Sequence, residues 1–462
     1  MGERELIGVV ALLALFLMIA IRMPVALAML LIAIIGTWVL SLVAPVVKFV
    51  PYLLQFKTGL WGLVANYDLS IIPLFILMGY LAGEAGLSRD LFHGLNVLTA
   101  RLRGGAAYAT IAACAGFGAV SGSSVATAGT MSQVALPELK RLSYDQGLAT
   151  GVLAAGGTLG ILIPPSVALV VYAIVVEASI ISMFRAALLP GLMAVLFFMG
   201  VVWWQLRRQS APAAGQALPT GEEYRAAFRR LLPVSLIFGG LILGLGLGLF
   251  TPTPAAAIGV FVVLAFGLWR GMGQSTGIAW PGLRRALLAT AKTTAMIFFI
   301  LFAADVLKGF FARTGLPLAL SSWAANAGID PYLLLFSMLL LLILLGCFLE
   351  SLSMILVVVP FLWPVLVSLN GGDFVSADQA GFGMTTDELK IWFGILALVV
   401  VELGLITPPV GLNVFVIKAQ APQIPIGTIF TGVLPFVLVE VLRVGLLLLM
   451  PGLVLLVPRL LG

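Results

Sequence analysis

Of 462 residues, 61% are hydrophobic and 10% charged, and the mean hydropathy of +1.17 lies far above what a soluble core requires. A soluble globular protein is excluded, and apolar runs without alternating polarity, such as LIGVVALLALFLMIAI and LLLFSMLLLLILLGCFL, exclude a β-barrel and predict membrane-spanning helices. The net charge of +6 comes from Lys and Arg placed between apolar runs and not in a stripe with aromatic residues, so the expected partner is the lipid bilayer and not nucleic acid.

In chain order, Glu3, Arg4 and Glu5 precede a first apolar run at 6–21, with no small-residue cleavage site after it, so the run reads as a retained anchor. Spans are expected near 24–43 and 69–85. An apolar piece at 105–137 is interrupted by GFGAVSGSSVATAGTM, and spans follow at 147–176 and 185–206. The stretch 207–230, rich in Pro, Ala and Gly and bracketed by arginines, reads as a cytoplasmic linker at the midpoint. Beyond it come spans at 231–250, 254–269 and 290–312, a second interrupted piece at 331–368, and spans at 390–418 and 428–450. Cys114 and Cys347 fall in separate apolar segments and the single histidine, His93, in a loop, so there is no ligand cluster for zinc or haem.

The two sides of the linker repeat one another, 1–206 against 231–462. The two Pro-Pro pairs stand in GILIPPS (Pro164, Pro165) and GLITPPV (Pro408, Pro409), each with a glycine, Gly160 or Gly404, four residues before the first proline. Each pair follows an interrupted piece with a polar tip, Ser121–Ser124 in one half and Glu350–Ser353 in the other. Each precedes another proline in an apolar run, Pro190 or Pro435. The second half carries an extra polar stretch, NGGDFVSADQAGFGMTTDE, at 370–388. Five crossings per half is odd, which predicts an inverted repeat. With a periplasmic N-terminus, the inside loops collect Arg22, Arg89, Arg101, Arg103, Lys140, Arg141, Arg207, Arg208, Arg225, Arg229, Arg230, Arg270, Arg284, Arg285, Lys292 and Lys418, while the acidic insertion falls outside.

Each interrupted piece could be two full spans or a hairpin that enters and returns; the first falls short of two spans, and its Gly and Ser centre makes a turn that need not face solvent. Both are therefore expected as re-entrant helical hairpins (105–137 and 331–368). A Pro-Pro pair removes two amide donors and pushes the preceding residue away from helical angles, which predicts extended breaks at Ile163 and Thr407 inside broken helices 147–176 and 390–418. Irregular backbone at membrane depth is tolerated where it lines protein or a wet cavity. The carbonyls freed there, with hydroxyls of Ser121, Ser123, Ser124, Thr127, Ser351, Ser353 and Thr407, offer hard oxygen ligands to a small cation, and the exposed helix starts offer amides to a carboxylate. Glu350 and Glu402 are deep acids that need a partner, and Glu402 stands where the first half has Thr158. Asp305 with Lys308, and Glu440 with Arg443, are spaced to pair on one helix face.

At these residues a family is recognisable. GAVSGSSVATAGTM, GGTLGILIPPS, PLFILMG, FRAALLPG and ELGLITPPVGLNVFVIKAQAP closely resemble the large membrane subunit, DctM type, of tripartite ATP-independent periplasmic (TRAP) transporters, over essentially the whole chain. The resemblance implies a bacterial inner-membrane, all-α, sodium-driven importer of an organic acid. It implies an elevator mechanism in which a transport domain (104–176 and 331–418) slides against a scaffold of the remaining spans. It also implies two partners: a small four-helix membrane subunit of DctQ type and a periplasmic substrate-binding protein of DctP type. At least two Na+ ions are expected. Carried over by motif, their ligands fall on Ser121, Gly122, Ser123, Gly156, Thr158 and Gly160 in the first half and on Glu350, Ser351, Ser353, Glu402, Thr407 and Gly411 in the second. The organic acid is expected at Ser123, Ser124, Thr127, Pro165, Ser166, Pro409 and Asn413. The long 370–388 insertion departs from commoner members. Two other readings remain at this point: a stand-alone sodium/carboxylate symporter of the same architecture, and, remotely, an intramembrane serine protease using Ser121. No phosphate-binding loop of the Gly-Lys-Ser type is present to hydrolyse ATP directly.

Overall fold

The structure is a computed structural model and describes residues 2–208, 219–273, 277–326 and 328–461. Among the described residues every regular element is a helix. The first half contains α1 (Glu3–Ala20), α2 (Val25–Val43), α3 (Phe49–Ala65), a 3₁₀ turn (Tyr67–Ser70), α4 (Ile71–Glu84), α5 (Leu87–Thr99), α6 (Gly105–Ser121), α7 (Ser124–Arg141), α8 (Gln146–Leu162), α9 (Val167–Val175) and α10 (Ile180–Arg208). The second contains α11 (Gly221–Gly246), α12 (Pro252–Gly273), α13 (Trp280–Thr314), α14 (Leu316–Asn326), α15 (Pro331–Gly346), α16 (Ser351–Asn370), α17 (Thr386–Ile406), α18 (Leu412–Gln420), α19 (Ile426–Leu449) and α20 (Gly452–Leu461). Nine of these helical segments, counted among the described residues, are long and apolar enough to cross a membrane.

The two halves carry the same pattern. α6 and α7 form one hairpin and α15 and α16 the other; α8 and α9 are one broken helix, bent by 47°, and α17 and α18 the second. The halves interlock, since α9 packs against the hairpin arm α16 of the other half and α18 against α7. The fold is a polytopic, all-α inverted repeat with two hairpins and two broken helices.

At its centre α8 is buried over nearly its whole length, between α6, α7, α10, α17 and α19. Small residues allow this. A methyl group on Gly118 would lie 2.6 Å from Gly160 Cα, and one on Gly151 would lie 2.3 Å from Gly432 O, so the helix backbones touch, the packing mode available where lipid removes the hydrophobic drive.

The sequence reading missed four helices and placed the starts of α11 and α13 too late. α3 is held on α13 by Tyr52 Oη donating to Val306 O at 2.9 Å and Arg313 Nη2 donating to Gln55 Oε1 at 2.7 Å. α5 is amphipathic, burying Leu87, Leu91 and Phe92, so His93 lies on a helix and not in a loop. α14 and α20 are short and pack on α16 and α10. The expected linker 207–230 is shorter than its composition implied. α10 runs to Arg208, and α11 starts at Gly221, where Thr220 and Glu223 form a capping box; residues 209–218 lie outside the described residues. α13 likewise begins at Trp280, ten residues before the expected span, and Arg285 on this extension pairs with Glu84 at 2.7 Å.

Candidate functional site

The breaks form where expected. Ile163 (φ −92°, ψ 119°) and Thr407 (φ −95°, ψ 139°) are extended, and both Pro-Pro bonds are cis. Because prolines have no N–H, the carbonyls of Gly160 and Ile161, and those of Gly404 and Leu405, lose the amide four residues on. α9 restarts with Ser166 Oγ accepting from Leu169 N at 3.4 Å, and α18 restarts from Gly411 at φ +63°. The first hairpin turns at Gly122 (φ +59°), a left-handed position that costs glycine nothing, and α7 starts with Ser123 Oγ accepting from Ala126 N at 3.4 Å. The second turns at Cys347–Glu350, with Glu350 as the residue before α16.

At each break a glycine leaves room between oxygens. A methyl on Gly160 would sit 2.6 Å from Thr127 Oγ1 and 2.9 Å from Ser123 O, and Ser121 Oγ lies 2.6 Å from the same Thr127 hydroxyl. A methyl on Gly411 would sit 3.2 Å from Leu405 O and 3.3 Å from Thr407 O. Between these two clusters lies Glu402, 1% exposed near the C-terminal end of α17. Its Oε2 accepts a very short hydrogen bond from Ser124 Oγ, and its Oε1 accepts one from Ser351 Oγ at 2.8 Å. Ser124 and Ser351 are the first residues of α7 and α16, so the positive ends of two helix dipoles meet at one carboxylate. Asn413, fully buried, donates from Nδ2 to Ala154 O at 3.3 Å, and its Oδ1 has no partner among the described residues. A methyl on Gly157 would lie 3.0 Å from Asn413 Nδ2 and 3.2 Å from Ser124 O, which places Asn413 beside the first tip. The arrangement is a set of neutral oxygens around one acid, suited to holding small cations.

A family model described as "Tripartite ATP-independent periplasmic transporter, DctM component" matches residues 12–453. The chain belongs to this family. The C4-dicarboxylate TRAP transporter large permease protein DctM of Pseudomonas aeruginosa is 31% identical over 401 residues, covering 86% of this chain and 87% of that protein. The sialic acid TRAP transporter large permease protein SiaM of Vibrio cholerae is 30% identical over 402 residues (86% and 88%), and the 2,3-diketo-L-gulonate TRAP transporter large permease protein YiaN of Escherichia coli is 27% identical over 379 residues (81% and 82%). Among solved structures, the Alcanivorax borkumensis YdaH transporter shares the fold, with a TM-score of 0.57, 16% identity, and 87% and 89% of the two chains covered. The chain is thus a TRAP large permease, a multi-span membrane transporter subunit and not an enzyme; permeases of this family work with a small permease and a periplasmic binding protein. The protease reading falls with that, and in the structure the Ser121 hydroxyl is engaged by Thr127.

In this TRAP permease, Ser121, Ser123, Thr127 and Gly160 come together at the first tip, while Gly122 closes its turn against the backbone at Ser166 and Val167. Ser124, Ser351, Glu402 and Asn413 converge between the halves. Thr407 and Gly411 meet at the second break, where the Thr407 hydroxyl donates to Leu403 O at 2.6 Å. Ser353 is buried on the first turn of α16. Three residues stand apart: Gly156 faces Cys114 Sγ, Thr158 turns its hydroxyl back onto Ala155 O at 2.6 Å, and Glu350 makes no side-chain cap bond. Pro165 and Ser166 are buried, whereas Pro409 is exposed. The expected Asp305–Lys308 pair is not formed. Both residues are exposed and line a cavity of about 360 Å³ with Asn66, Glu177, Leu356 and Pro360. Glu440 and Arg443 do pair, at 2.5 Å. The sequence reading missed the two serine contacts to Glu402; the signal available was that Ser124 and Ser351 hold equivalent places just after the two tips.

Proposed function

We propose that this TRAP large permease imports an organic acid, delivered by a periplasmic binding protein, in symport with at least two sodium ions, with a small four-helix subunit bracing it in the bacterial inner membrane. The observation that carries this is the convergence of two hairpin tips and two unwound helices on uncharged oxygens and one acid. Oxygen sets of that kind match a small hard cation, and two such sets match two ions. The relatives' substrates, C4-dicarboxylates, sialic acid and 2,3-diketo-L-gulonate, are all organic acids, which supports the substrate class.

Energetics agree. One sodium ion entering at about 100 mV gains about 2.3 kcal/mol, and a tenfold gradient adds about 1.4 kcal/mol. Two ions drive steep accumulation of a monoanion; with a dianion the electrical parts cancel and the chemical gradient alone remains.

For the moving body of an elevator, packing favours more than 104–176 and 331–418. A methyl on Gly432 of α19 would lie 2.0 Å from Gly147 O of α8, and α10 also packs on α8, so α10 and α19 travel with the hairpins. The scaffold is then α1–α4 and α11–α13, with α5 and α14, which pack on the hairpin arms α6 and α16, connecting the two bodies. Cavities of about 360 and 220 Å³ along α13 and α16 mark the looser seam between these bodies.

The test is uptake into proteoliposomes containing this chain, its small subunit and its binding protein, with radiolabelled succinate and sialic acid as probes. Uptake requires an inward sodium gradient, with a Hill slope near two. Uptake driven by a proton gradient with sodium absent, or a slope of one, overturns the coupling.

A further inference from the structure

We propose that Glu402 is an inter-repeat latch, a positioning residue that ties the two hairpin tips together so that neither loosens without the other. Each carboxylate oxygen is committed to a different hairpin, Oε2 to Ser124 of α7 and Oε1 to Ser351 of α16. The serines are far apart in sequence and belong to opposite repeats, yet each is the first residue of its arm.

The asymmetry of the repeats makes the sharing necessary. Glu402 stands six residues before Pro408, and the same place before Pro164 holds Thr158, whose hydroxyl is spent on Ala155 O within its own helix. One acid therefore serves two tips. A buried carboxylate that loses one donor is left with an unsatisfied oxygen, and the rotation or protonation that relieves it loosens the bond to the other serine, so a change at one serine is transmitted to the other.

The functional consequence rests on the sodium reading above. An ion that holds one tip against Glu402 holds the other with it, and a tip that leaves Glu402 loosens its partner, so the two halves of the site fill and empty in concert. The structural content of the latch stands without sodium.

The test is hydrogen exchange of the full chain in nanodiscs in choline chloride, followed over 116–131 (first tip), 346–358 (second tip) and 147–156 (the α8–α19 crossing, as control). Ser351→Ala speeds exchange at the first tip, where it removes no contact, by about fivefold, the equivalent of about 1 kcal/mol for one net hydrogen bond; Ser351→Thr, which keeps the hydroxyl, restores it. Glu402→Gln speeds both tips, and in that background Ser351→Ala no longer affects the first. The control stays unchanged, which separates the latch from general destabilisation. If Ser351→Ala speeds only its own tip, or acts equally in both backgrounds, the latch is refuted. Replacing choline with sodium then slows exchange at both tips of the unmodified protein. If it slows neither, the sodium reading fails while the cross-effect between tips still decides the latch.

Discussion

Arg443 is the only arginine among the described residues that is fully buried, and it is satisfied on three sides. Its Nε and Nη2 donate to Glu440 Oε2 at 2.9 and 2.5 Å, and its Nη1 donates to Pro190 O at 3.0 Å, joining α19 to α10 at the proline of α10. Such a pair gains little over well-packed apolar residues, because both charges are desolvated, but breaking it strands one charge. Arg443→Met is expected to destabilise the protein by about 3–5 kcal/mol, whereas Glu440→Leu combined with Arg443→Met recovers most of the loss. Unfolding by dodecyl sulfate in mixed micelles measures both. A double variant as unstable as the single one would show that the pair does more than neutralise itself.

Among elements, those that depend on local chemistry were legible and those that depend on tertiary company were not. The Pro-Pro breaks, the Gly122 turn and the long apolar helices follow from missing N–H groups, a missing Cβ and hydropathy, all written in a few adjacent residues. α3 was hidden because Pro51, Gln55, Lys57 and Thr58 interrupt its apolar residues, of which only Tyr52 is buried, and α5 because its polar face dilutes hydropathy and its apolar face needs α6 to cover it. The Glu402 contacts were hidden for the same reason, since no local pattern says which serine a distant acid will meet. The 370–388 insertion is a third case: its composition reads as a loose loop, yet the structure ties it. Buried Asn370 donates from Nδ2 to Met384 O at 3.1 Å and to Thr386 Oγ1 at 3.2 Å, and accepts at Oδ1 from Phe382 N at 3.2 Å. Phe382 in turn packs edge-on to Tyr332 and Trp392. Removing three hydrogen bonds worth about 1 kcal/mol each loosens the loop locally. Asn370→Ala therefore speeds proteolytic nicking within 371–385 by about tenfold or more in limited proteolysis, with Phe374, fully exposed, as a ready cleavage point for chymotrypsin. An unchanged rate would assign the loop's order to its aromatic contacts alone.

For the whole molecule, contacts fix which charged segments share an end, and the distribution of Lys and Arg then predicts which end faces the cytoplasm. Arg270 pairs with Asp90, Arg285 with Glu84 at 2.7 Å, and Arg101 stacks on Tyr224 at 5.4 Å, so the C-terminal ends of α4 and α12, the helix α5 and the starts of α11 and α13 lie together. Arg207 and Arg208, at the end of α10, stack on Trp203 and Trp204. The opposite end is poorer in cations and richer in acids, with Glu388 held by Arg459, Lys390 by Asp387, and Asp373 and Asp378 in the insertion. Retained Lys and Arg mark the cytoplasmic side, and acids contribute little to the rule, so the expected orientation has the basic end facing inward and the N-terminus outward. The protein suits a direct test because its two native thiols, Cys114 and Cys347, are buried and give little background. Ser376→Cys, in the exposed insertion, is expected to react with a membrane-impermeant maleimide in intact cells. Glu222→Cys, exposed in the first turn of α11, reacts only after the membrane is permeabilised. The reverse pattern would turn the molecule over in the membrane and put the insertion out of reach of any periplasmic partner.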